Sequence, residues 1–130
     1  MIRNTALRPA LHADRPGHGY QPIDMVHLSR QAMGDRGLER EVLRMFDTMT
    51  GVYFSRLESS TSVEELLRHL HTLKGAAAGV GASRIAELAA EAEADLRSGL
   101  PVDPEQVEDI GMAVAECSAF IGRLLEHEAA

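Results

Sequence analysis

Tryptophan is absent from this 130-residue chain, and Phe and Tyr together make up only 4% of it. A core must therefore be filled by Leu, Ala, Val and Met, which favours helices packed on helices over a β-sandwich. Cysteine is nearly absent too. Cys117 stands alone, so no intramolecular disulfide can form, and the count fits a reducing cytoplasm. Positive charge is in short supply, with 13 Lys and Arg against 20 Asp and Glu and a formal net charge of -7. That balance argues against nucleic acid as a partner, because phosphate backbones need a basic face. No run approaches the roughly 18 apolar residues of a membrane span, and residues 1–22 lack the apolar stretch of a secretion signal. A cytoplasmic location is the resulting expectation.

Residues 1–22 contain Pro9, Pro16, Gly17, Gly19 and Pro22 and show no sustained apolar period, so they are expected to form a flexible leader. The fold is expected to occupy 23–130. His12 and His18 lack the further ligands that a metal site requires. Asp24 can cap a short helix carrying Met25, Val26, Leu28 and Met33, which Gly34 ends. Leu38, Val42, Met45, Phe46, Met49, Val52, Tyr53 and Leu57 then recur at spacings of three and four. This predicts an amphipathic helix from about Asp35 to Glu58, ~35 Å long, with its Met and Phe stripe in the core.

Ser62 and Glu65 form an S-x-x-E start signal. The helix that follows places Val63, Leu66, Leu70, Leu73 and Ala77 on one face, with Gly79 and Gly81 bracketing its end. A fourth helix turns Ile85, Leu88, Ala89, Ala92 and Leu96 inward. Its acids Glu87, Glu91, Glu93 and Asp95 are expected on the solvated face. Gly99 and Pro101 stop it. Asp103-Pro104-Glu105-Gln106 opens a last helix with Val107, Ile110, Val114, Cys117, Ile121 and Leu124 or Leu125 inward. Cys117 lies on that apolar face and reads as a small buried hydrophobe. Short connections make successive helices antiparallel neighbours. The expected fold is all-α, an up-down-up-down four-helix bundle with a short additional N-terminal helix.

Within the Ser62 helix stands Leu70-His71-Thr72-Leu73-Lys74-Gly75. Glycine costs roughly 1 kcal/mol relative to alanine in a helix interior, so Gly75 asks for a reason. At about 100° per residue, His71 falls roughly 120° from the centre of the apolar stripe and should face solvent. Lys74, three residues on, can reach a group attached to His71. Gly75 lies on the same outward side, with Leu67 and Ala78 forming an apolar rim. An imidazole with an ordinary pKa of about 6.5 is mostly neutral near pH 7 and is a competent nucleophile toward phosphorus. Lys74 can offset the added negative charge, and the bare backbone of Gly75 leaves room for an incoming protein. His69 points to the opposite flank and cannot share a metal with His71. His69, His27 and His127 read as structural or surface residues.

The run from Leu70 to Ala82 resembles the signature of histidine-containing phosphotransfer (HPt) domains. Gly34-Asp35 with Leu38, Glu41, Val42 and Phe46 resembles the family's second helix, and Leu88, Ala92, Glu93 and Leu96 its fourth. The family often has Ser at one of the two positions after the glycine, where this chain has Ala76 and Ala77. The resemblance implies a monomeric phosphocarrier in a two-component phosphorelay, without autonomous catalysis. His71 would accept a phosphoryl group, on Nε2, from the aspartate of a response-regulator receiver domain and pass it to another receiver, downstream of a hybrid histidine kinase. Leu67, Arg68, Gly75 and Ala78 would meet the receiver. No cofactor of its own is implied, since the chain has no Gly-rich phosphate loop and no compact acidic cluster, and the receiver would bring Mg²⁺.

Three other readings compete. A histidine-kinase dimerisation helix would carry an acid directly after the histidine, where this chain has Thr72. A metal-binding bundle would need Glu-x-x-His pairs, and neither His69 nor His71 has an acid three residues before it. An adaptor bundle that leaves its histidine unused stays open on sequence alone.

Overall fold

A computed structural model describes residues 21–129, so the expected leader lies outside the described residues up to residue 20. Five helices follow in order: α1 (Met25–Gln31), α2 (Arg36–Glu58), α3 (Val63–Val80), α4 (Ser83–Arg97) and α5 (Pro104–Ala129). The start signals act through side-chain oxygens that accept otherwise unpaired backbone N–H groups. Asp24 accepts from Val26 and His27, Asp35 from Leu38, Ser62 from Glu65 and Asp103 from Glu105. Glu65 reaches back to the N–H of Thr61, one residue earlier than a reciprocal capping box would place it. Gln106 closes its own box on the N–H of Asp103.

The four long helices contact one another in a ring, α2–α3–α4–α5–α2, and α1 rests on α3 and α2. With connections this short, the ring is an up-down-up-down four-helix bundle. Its core holds Leu43, Phe46 and Leu57 of α2, Leu70, Leu73 and Ala77 of α3, Ile85, Ala89 and Ala92 of α4, and Ile110, Val114, Cys117 and Ile121 of α5. Alanines on α3 and α4 bring these two helices together over the largest contact in the bundle. Burial pushes the Cys117 thiol up to about 12, as befits an inert core group. Among the described residues, no helix is long and apolar enough to cross a membrane.

Two expectations about the apolar pattern need correction. Phe46 is buried, but Met45 beside it is 70% exposed, and Leu38 and Val52 also face solvent. The stripe is wider than the face that α3 and α5 can cover. Met33 does not belong to the first helix either. It sits in the turn after α1 with φ of 54° and is exposed.

Gly79 lies inside α3, and the helix ends at Gly81, whose φ of +83° is left-handed. That turn is where α1 docks. The N–H of Asp24 donates to the Gly81 carbonyl at 2.9 Å, and His27 Nε2 lies 3.1 Å from the Gly79 carbonyl. His27, expected to have no companion, thus helps seat α1 on the end of α3.

Candidate functional site

Midway along α3, His71 projects from the bundle with 66% of its side chain exposed. Its flank faces α4. There the structure departs from the sequence reading: Glu93, expected among solvated acids, is buried, with 5% of its side chain exposed. Glu87 and Glu91 do face solvent. Glu93 follows Ala89 by four residues and precedes Leu96 by three, so it lies on the shoulder of the α4 apolar stripe. It is covered there by α3.

A buried carboxylate must be paired. Glu93 has three partners. Oε1 accepts from Lys74 Nζ at 2.6 Å, while Oε2 lies 3.1 Å from His71 Nδ1 and 2.9 Å from the Arg97 guanidinium. The hydrogen bond from Lys74 is the largest influence holding the Glu93 carboxyl down to about 2, with Arg97 and His71 adding to it against the opposing effect of burial. Glu93 is therefore ionised at neutral pH and can only accept. Nδ1 of His71 must be the donor in that bond, which fixes the tautomer and leaves the Nε2 lone pair free in the neutral ring.

The other residues marked by sequence fall around this centre. Gly75 is exposed, and a Cβ built on it meets nothing within 4 Å. Arg68 and Ala78 are exposed and Leu67 is half-buried against the core. Lys74 is half-buried, with 35% of its side chain exposed, because it is drawn onto Glu93. Sequence reasoning missed Glu93 and Arg97. The available signal was the place of Glu93 at the edge of the apolar stripe, with a cation four residues on at Arg97.

His69 lies across α3. Its ring meets the edge of Tyr53 with centroids 6.0 Å apart, and its Nδ1 is buried without a hydrogen-bond partner among the described residues. The structure does not bring His69 and His71 together.

Fold and site define an α-helical bundle that presents one imidazole to solvent, oriented by a buried, ionised carboxylate. A family model, the Hpt domain, matches residues 39–127. The chain belongs to the Hpt domain family, the phosphohistidine proteins of two-component phosphorelays. No curated protein and no solved structure matches it.

Proposed function

We propose that His71 is the phosphoryl acceptor of this Hpt domain and that the chain carries the group between receiver domains. The observation that supports this reading best is the bond from His71 Nδ1 to Glu93. It occupies Nδ1, so Nε2 is the nitrogen left free for a docking partner on a ring that is 66% exposed. In the transfer, the Nε2 lone pair forms the N–P bond while the acyl-phosphate O–P bond of the receiver's phospho-aspartate breaks. The electron pair stays on the aspartate oxygen. The Nδ1 proton remains between the ring and Glu93, whose negative charge offsets the positive charge that the ring acquires.

The chain's own residues orient and neutralise. The receiver supplies Mg²⁺ and the in-line geometry, so the carrier has no catalysis and no cofactor of its own. Arg68, Leu67 and Ala78 meet the receiver, and the open space over Gly75 admits its backbone. Lys74 stabilises the phosphoryl group. The carrier acts as a cytoplasmic monomer between a hybrid histidine kinase and response regulators.

Incubation with phosphorylated receiver domains tests this. Acid-labile, alkali-stable phosphate should form on the wild-type chain and be lost in His71→Gln with helicity unchanged. Label retained by that variant rejects the assignment. Lys74→Ala should shorten the life of the phosphorylated form.

A further inference from the structure

We draw no further inference here: the strongest candidate, the surface strip of Leu38, Met45 and Val52 that α2 leaves exposed, is an unpartnered apolar helix face, and nothing in the structure shows what covers it.

Discussion

The two flanks of α3 hold histidines two residues apart, and they are built differently. On the α2 side, His69 is half-buried against the edge of Tyr53, which is itself capped by the Arg56 guanidinium 5.0 Å from the ring centroid. No acceptor meets the His69 Nδ1 among the described residues. On the α4 side, His71 is exposed, yet its Nδ1 is held by a carboxylate more deeply buried than itself. The same residue type thus acts as packing material on one flank and stands as an oriented, solvent-facing imidazole on the other. What separates them is the anchor behind the ring as well as the ring's own accessibility. A surface imidazole without an anchor spends its time in many rotamers, whereas one tied at Nδ1 presents a single nitrogen.

The sharpest way to break this comparison is to remove each histidine in turn. His71→Gln should abolish phosphohistidine even though His69 remains two residues away. His69→Gln should keep full labelling and lose about 1 kcal/mol of stability, the scale of one aromatic contact. Phosphate assays and urea midpoints on the two variants read this directly. Comparable labelling losses in both would mean that the flanks are not functionally distinct.

The next effect concerns the anchor. The Glu93 carboxyl is held at about 2 in the folded protein against an ordinary value of 4.5. Between these values the unfolded chain binds a proton that the folded one does not, so stability falls as pH drops through this window and is fully present above it. The full difference is a few kcal/mol. Glu93→Gln should flatten the acid limb of a plot of urea midpoint against pH between about 4.5 and 2. An equivalent change at Glu91, which is exposed on the same helix, should leave the limb intact. A Glu93→Gln limb as steep as wild type would mean that the cluster does not hold the carboxylate.

Much of the bundle was legible because it rests on local rules. Asp24, Asp35, Ser62 and Asp103 cap where their side chains predict, and Leu70, Leu73 and Ala77 are buried at helical spacing. The exposure of His71 followed from the same geometry. What stayed hidden depends on contacts between helices. Glu93 looked like one more acid on an acidic helix, since the cations that pair it include Lys74 on a different helix. His27 looked isolated because its partner, the Gly79 carbonyl, is 52 residues away. Met45 looked buried because a single helix cannot reveal how much of its apolar stripe the neighbours will cover.

The glycines of α3 offer the smallest effects and the cleanest contrast of sign. Gly75 sits in the helix interior with open space where a Cβ would go. Gly75→Ala should therefore stabilise the fold by up to about 1 kcal/mol, the helix-propensity difference. Gly81 caps the helix at φ +83°, with Asp24 Cβ and carbonyl oxygen both 3.1 Å from an added Cβ and His27 Cδ2 at 3.2 Å. Gly81→Ala should cost about 1–2 kcal/mol for the left-handed backbone alone, and more if α1 is pushed off its seat. Thermal or urea unfolding of the two variants should move in opposite directions. If larger side chains at Gly75 leave stability intact but slow phosphoryl transfer from receivers, Gly75 is kept bare for a partner. If they leave transfer unchanged as well, the open space over Gly75 has no part in docking, and Arg68, Leu67 and Ala78 must define the contact without it.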